Sequence, residues 1–261
     1  MNVFQNRDNP IAVFDSGVGG ISVLRALLCE MPNENYWYYG DSANAPYGTK
    51  SLEEVRCLTV SHVDRFIAEG AKAVVVACNT ATSAAVRYLR QKYPNVPIIG
   101  IEPAVKPAVL SKNYPNVVVM ATPMTIREEK FHNLMDRYMG MAQIIPLPCP
   151  GLMEYIERGD IESEKLEHFL EKLFEPFEKA KLDAVVLGCT HYPFVSRELK
   201  KVLGGSVRLF EGGPGTARET KRRIEAAGLL RVSKEKGSVR FENSEQSDGK
   251  KELCERLLNT H

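Results

Sequence analysis

The chain reads as an α/β protein of two pseudo-symmetric domains with mainly parallel sheets, and three observations predict it. Short Val- and Ile-rich runs alternate with amphipathic helical stretches, the order expected of parallel strands joined by helical crossovers. The chain repeats itself, with an apolar run that stops at a cysteine in each half. At 261 residues, 44% of them hydrophobic, it is long enough for one large core or two small ones, and two domains is the expectation.

The elements follow in order. Ile11 to Phe14 is a strand leading into Asp15-Ser16-Gly17-Val18-Gly19-Gly20, with a helix over Ile21 to Leu28. Tyr36 to Tyr39 is a strand, followed by the polar loop Asp41-Ser42-Ala43-Asn44-Ala45-Pro46-Tyr47-Gly48-Thr49-Lys50. Ser51 and Glu54 form a capping box, Val55, Val63, Phe66 and Ile67 supply an apolar face, and Gly70 stops that helix. Ala73 to Ala77 ends at Cys78-Asn79-Thr80, ahead of a helical stretch from Ala84 to Tyr93 and a strand from Val96 to Ile101. The pattern then recurs. Val117 to Met120 leads into Ala121-Thr122-Pro123-Met124-Thr125, Ile144 to Leu147 is a further strand, and from Leu166 the residues Phe169, Leu170, Leu173, Phe174 and Phe177 keep helical spacing. Ala184 to Leu187 leads through Gly188 into Cys189-Thr190-His191. The polar tail from Val232 to Asp248 carries a strand at Ser238 to Glu242, and a last helix covers Lys250 to Leu258. The breaks fall near Gly100-Ile101-Glu102-Pro103 and Phe210-Glu211-Gly212-Gly213. Residues 1–100 with 211–261 then form the first domain, which the tail packs on, and 101–210 the second.

Composition removes several classes of function. With 34 basic and 33 acidic residues the formal net charge is +1, so neither nucleic acid nor a membrane surface is an expected partner. The start has no basic region followed by a long apolar one, and no stretch approaches the ~20 apolar residues of a membrane span, which places the chain in the cytoplasm. The six cysteines are scattered without CxxC pairs, which fits neither a zinc framework nor a disulfide scaffold, so reduced thiols and no metal are expected.

In open parallel sheets ligands gather outside the carboxyl ends of the strands, and both Cys78 and Cys189 stand there. At a helix N-terminus the local positive field favours thiolate over thiol. Either cysteine by itself also reads as a small buried hydrophobe ending a strand. Two of them at matching positions, each followed by amide, hydroxyl or imidazole groups suited to gripping carboxylates, are harder to read that way. The glycines after Asp15 permit close backbone approach to a ligand, and Asp15 is a candidate base or orienting group. The same stretch also reads as a glycine-rich turn with an Asp or Ser capping the helix. It lacks the Gly-Lys-Ser/Thr of a P-loop and the spacing of GxGxxG. In the loop after the second strand, Asp41 and Asn44 read equally as turn-stabilising groups.

Two opposed thiols suit racemisation of an amino acid, which removes a proton from one face of Cα and returns one to the other. Thiols titrate not far from neutral pH, while a Cα proton beside a carboxylate is far less acidic, and each pKa unit of mismatch costs about 1.4 kcal/mol. Such a site must stabilise developing charge. Backbone N–H groups at helix N-termini, with Ser16, Asn79, Thr80, Thr122 and Thr190, are the candidates for holding carboxylates, and Asp15 and His191 for orienting thiols or the substrate ammonium.

At these residues the chain resembles the glutamate racemases of the aspartate/glutamate racemase superfamily. The similarity lies in Asp15-Ser16-Gly17-Val18-Gly19-Gly20, Pro46-Tyr47-Gly48-Thr49-Lys50, Ala77-Cys78-Asn79-Thr80-Ala81 and Gly188-Cys189-Thr190-His191-Tyr192-Pro193, in family order, and covers roughly residues 10 to 230. The resemblance implies an active site in the cleft between two α/β domains, no cofactor, supply of D-glutamate for peptidoglycan, and a homodimer. It implies that Cys78 deprotonates D-glutamate and Cys189 L-glutamate, with Asp15 and His191 assisting. Asp15, Ser16, Pro46, Tyr47, Gly48, Asn79, Thr80, Thr122, Thr190 and His191 would contact substrate, and Asp41 and Glu157 stand at positions of auxiliary acids. Asn44-Ala45 replaces the family's usual basic residue before Pro46, and Glu211-Gly212-Gly213 departs from the common Asp-Ser-Gly. The chain starts without the long extension linked to activation by a peptidoglycan precursor, so that control is not expected. Four alternatives stay open: a racemase of aspartate or another amino acid, a thiol hydrolase or transferase using Cys189 with His191, a metal site, and a two-lobed binding protein.

Overall fold

The computed structural model describes residues 6–260; the extreme amino-terminus, on which part of the leader reading rests, lies outside them. In chain order the elements are β1 (Ile11–Asp15), α1 (Ile21–Glu30), β2 (Tyr36–Gly40), α2 (Leu52–Ala68), β3 (Ala73–Val76), α3 (Asn79–Lys92) and β4 (Ile98–Gly100). Then come α4 (Val105–Val109), β5 (Asn116–Ala121), α5 (Pro123–Arg127), α6 (Glu129–Asp136), β6 (Gln143–Pro148), α7 (Leu152–Glu157), α8 (Glu164–Phe174), β7 (Ala184–Leu187), α9 (Ser196–Leu203) and β8 (Arg208–Glu211). The chain closes with α10 (Gly213–Ala226), β9 (Val239–Asn243) and α11 (Asp248–Asn259). It divides into two compact units, residues 1–102 with 213–261 and residues 103–212.

The first unit holds a five-stranded sheet in the order β4-β3-β1-β2-β9, parallel throughout. Its middle strands β1, β2 and β3 are buried along their whole length, which is why they read as unbroken apolar runs rather than as alternating ones. The second unit holds a four-stranded sheet in the order β6-β5-β7-β8, also parallel throughout. Within each unit the first strand lies centrally, the second pairs on one side of it, the third on the other, and the fourth outside the third. The α/β class and the repeated halves are thus both present in the backbone, and β9 is an edge strand that the first unit alone carries.

Local rules account for most boundaries. The capping box at α2 forms in full: Ser51 Oγ accepts from Glu54 N (3.3 Å) and Glu54 Oε2 accepts from Ser51 N (2.9 Å). That helix ends at Ala68, and Gly70 turns the chain at φ +94°. In the second unit, Val105, Ala108 and Val109 of α4 pack against Val117 and Val119 of β5 and Ala184 and Val186 of β7. β4 is shorter than the apolar run suggests, because Pro97 has no N–H to give to a ladder. β6 keeps Pro146 and Pro148, which its edge position tolerates. At the start of β9, Gly237 passes so close to the chain that a Cβ there would lie 1.8 Å from the Glu34 carbonyl oxygen.

Candidate active site

In the first unit, β1 delivers Asp15 fully buried, with its Oδ1 accepting from Gly17 N at 3.0 Å. The expected capping role is not what the structure holds. α1 starts from Gly20 with no side-chain cap, and the Asp15 carboxylate closes the glycine turn instead. β3 delivers Cys78, and here the helix begins earlier than Ala84: α3 starts at Asn79, so the thiol is itself the N-cap. Its Sγ accepts from Ala81 N at 3.4 Å and from the Ser16 hydroxyl at 3.5 Å. Both bonds and the positive end of α3 favour a thiolate. Asn79 and Thr80 are buried beside it, and among the described residues Asn79 Oδ1 is a buried acceptor with no donor. An acceptor left in that state is expensive unless a ligand serves it.

The loop after β2 brings Tyr47 into the same unit, 1% exposed, in a short 3-10 turn that packs against α3. Burial, the hydrogen bond to Asp41 and the charges of Cys78 and Asp15 all raise the Tyr47 pKa, which keeps the phenol protonated and places it within electrostatic reach of both groups. Its hydroxyl donates to Asp41 Oδ2 at 2.6 Å. Asp41 also accepts from Asn44 Nδ2 at 3.0 and 3.1 Å and lies 3.2 Å from His62 Nε2. Burial by itself would raise the pKa of that carboxyl, but the bonds from His62, Tyr47 and Asn44 outweigh it and hold Asp41 well below the usual carboxylate range. Pro46 and Gly48, flanking Tyr47, are half-buried.

In the second unit, β7 runs through Gly188 to Cys189. Gly188 N donates to Met120 O at 2.8 Å, and a Cβ on residue 188 would meet that oxygen at 2.5 Å, so the approach requires glycine. Cys189 Sγ lies 3.6 Å from His191 Nδ1, and His191 Nε2 lies 2.8 Å from Glu157 Oε1 at the end of α7. His191 is 1% exposed. Burial pulls its pKa down, yet the bonds to Cys189 and Glu157 prevail and hold it well above the ordinary value. Protonated, the ring donates from both nitrogens, one to sulfur and one to carboxylate. Thr190 is buried next to the thiol, while Thr122 caps α5 by accepting from Thr125 N at 3.2 Å. Beneath them Tyr192 OH donates to Cys149 O at 3.5 Å. Burial and the Cys189 charge push the Cys149 thiol far up, so it stays neutral.

The structure therefore gathers Asp15, Ser16, Cys78, Asn79, Thr80 and Tyr47 in one unit, and Cys189, Thr190, His191 and Glu157 in the other. His62 was not visible as a site residue in the sequence, since it belongs to no motif and stands among α2 residues that look like helix surface. Among the described residues no group of three or more His, Cys, Asp and Glu side chains is placed to hold a metal, and no helix is long and apolar enough to cross a membrane.

Residues 22–220 match the model of the Asp/Glu/Hydantoin racemase family. The chain is 50% identical to a glutamate racemase of Clostridium acetobutylicum over 252 residues, 97% of this chain and 98% of that one. Among solved structures it is similar to the glutamate racemase of Thermus thermophilus in complex with β-chloro-D-alanine, at 34% identity and a TM-score of 0.81 over 97% of this chain and 94% of that one. It is also similar to the glutamate racemase of Francisella tularensis in complex with D-glutamate, at 27% identity and a TM-score of 0.84 over 98% and 95% of the two chains. With a family model that spans most of its length and a relative at half identity over nearly all of it, the chain belongs to the Asp/Glu/Hydantoin racemase family.

Proposed function

We propose that this protein interconverts L-glutamate and D-glutamate without a cofactor, by proton transfer at Cα between two thiols. The observation that carries the reading is that each unit ends its third strand in a buried cysteine beside a device that stabilises charge, the N-terminus of α3 for Cys78 and the His191–Glu157 pair for Cys189. Glutamate as substrate is supported by the glutamate racemases that the chain resembles over almost its entire length.

Cys78 as thiolate removes the Cα proton of D-glutamate, and Cys189 as thiol returns one to the opposite face; the reverse direction exchanges the roles. Asp15 and His191 are the assisting groups, Asp15 by closing the glycine turn and orienting the ammonium, His191 by delivering or holding a proton at Sγ. Ser16, Asn79, Thr80, Thr122 and Thr190, with backbone N–H groups, hold the substrate's carboxylates, and Pro46, Tyr47 and Gly48 form the loop over it. The unserved Asn79 Oδ1 matches an ammonium donor. The D-glutamate made in this way feeds peptidoglycan synthesis in the cytoplasm, and the working form is a homodimer.

Incubation with either enantiomer in deuterated water tests the scheme: deuterium enters Cα of both, with loss of optical activity. A protein that turned over aspartate and left glutamate untouched would overturn the substrate assignment. If the wild type instead turned over a thiol-hydrolase or transferase substrate and Cys78→Ser left that turnover near wild type, a Cys189–His191 hydrolase or transferase would be favoured.

A further inference from the structure

The loop that carries Pro46, Tyr47 and Gly48 is held by residues from far along the chain. Asp41, buried at its base, ties Tyr47, Asn44 and His62 together. The next residues, Ser42 and Ala43, are fastened by the end of β9, about two hundred residues away. Asn243 Nδ2 donates to Ser42 Oγ at 2.9 Å, and Ser244 Oγ accepts from Ala43 N at 2.9 Å. Ser244 N donates to Gly40 O at 2.9 Å, continuing the β2–β9 ladder, whose last paired residues are Gly40 and Asn243. The Ser244 hydroxyl also contributes to lowering the Asp41 pKa.

We propose that Asn243 and Ser244 are positioning residues for the substrate loop: the end of β9 fixes Ser42 and Ala43, and through Asp41 and its bond to Tyr47 sets the Pro46–Gly48 segment. This rests on the reading of that segment as a substrate contact. Three features favour it over a tail that merely caps a sheet edge. The bonds go to the loop's side chains and backbone beyond the end of the ladder. Asp41, the group between the two, is completely buried, so a shift at Ser42 and Ala43 has no solvent in which to relax. And Tyr47, 1% exposed with its hydroxyl committed to Asp41, cannot keep its place if that carboxylate moves.

The test compares Asn243→Ala, Ser244→Ala and their combination with wild type, measuring KM and kcat for both enantiomers and the melting temperature. The expected result is a KM increase of roughly three- to tenfold in the combined variant with kcat within about twofold, the size of one or two lost hydrogen bonds. Ser244→Thr, which keeps the hydroxyl, restores KM. Added to Tyr47→Phe, which cuts the same connection downstream, the tail substitutions raise KM no further. An unchanged KM in the combined variant overturns the proposal. So does an equal KM increase from Arg231→Ala at the same loss of melting temperature, because the Arg231 side chain anchors the tail to Asp8 and Asn33 without touching the loop. Wild-type protein that exchanges no deuterium into glutamate would instead overturn the glutamate reading, and that outcome is seen before any variant is made.

Discussion

The Cys78 and Cys189 centres are built on the same backbone plan and filled with different electrostatics. Ala77 N donates to Phe14 O at 2.7 Å just as Gly188 N donates to Met120 O at 2.8 Å, so the positions can be matched one by one. Cys78 corresponds to Cys189, Ser16 to Thr122, and Asp15 to Ala121, which carries no acid. Thr80 corresponds to His191, which introduces the imidazole. One step past the second strand, Asp41 N donates to Asp15 O at 2.9 Å and Cys149 N to Ala121 O at 3.1 Å, so a buried carboxylate matches a buried neutral thiol. The unit whose thiol caps an α-helix keeps its carboxylates. In the other, a 3-10 turn, not an α-helix, follows Cys189, and an imidazole braced by Glu157 takes the place of the helix terminus. A repeated strand plan fixes where the thiols stand, and neighbouring side chains decide how each handles charge.

The hardest way to break that comparison is to remove one thiol at a time. Cys78→Ser and Cys189→Ser should each lower racemisation by about 10²–10⁴-fold, the range for loss of a positioned acid or base. If the two centres serve opposite faces, Cys78→Ser retains solvent exchange with L-glutamate alone and Cys189→Ser with D-glutamate alone, read by proton NMR of Cα. Exchange of both enantiomers in either variant would show that one thiol serves both faces.

A smaller effect separates the two charge devices. Glu157→Gln removes the carboxylate that helps hold the proton on His191, and should slow the Cys189-dependent direction by about tenfold or more while leaving exchange of D-glutamate near wild type. The sign of the pH effect follows from the raised pKa. A proton held on folded His191 stabilises the protein fully below the unfolded value of about 6.5 and is lost as pH rises through the folded value. Weakening that hold moves the alkaline limb of L-glutamate exchange to lower pH. A limb that stays in place would mean that Glu157 does not tune the imidazole.

Much of this was readable from the residues, for reasons that also explain what was not. β1, β3, β5 and β7 are buried on both faces and appear as plain apolar runs, and the capping box of α2 is a purely local signal. α10 escapes notice because the side it buries is made of Gly213, Thr216, Ala217 and Thr220, with Ile224 as its one large apolar member, so no hydrophobic stripe marks it. β8 is short and half-exposed, and α4, α5 and α7 are five or six residues long, too few for periodicity to show. Motifs announced the thiols, Asp15 and His191. His62, Asn243 and Ser244 act across long stretches of chain, and no local pattern reports a partner about two hundred residues away.

The matched positions 77 and 188 allow a backbone test. Gly188→Ala puts a Cβ against the Met120 carbonyl, a backbone atom that cannot swing aside, and should destabilise the protein by about 1–3 kcal/mol. Ala77 already carries a Cβ at the equivalent place, so Ala77→Gly should cost only about 1 kcal/mol, from entropy and lost packing. Equal changes in urea midpoint for the two would contradict the tighter approach assigned to the second unit.

The third matched pair is told apart by pH rather than by size. Asp41 is depressed in the folded state, so its contribution is present above the unfolded carboxylate value of about 3.9 and is lost as pH falls through the folded value. Asp41→Asn replaces one acceptor oxygen by a donor facing Tyr47 or His62, and should cost about 1.5–3 kcal/mol near neutral pH. That difference shrinks toward acid, as the wild type loses what the variant never had. Cys149→Ala, at the corresponding position, removes a neutral buried thiol and should cost about 1 kcal/mol with no such acid dependence. Urea unfolding at pH 7 and about pH 2.5 distinguishes the pair, since the Asp41 contribution fades only below the unfolded value: parallel loss in both variants at both pH values would mean that Asp41 acts by packing, as Cys149 does, and that the two centres differ less in charge than their side chains imply.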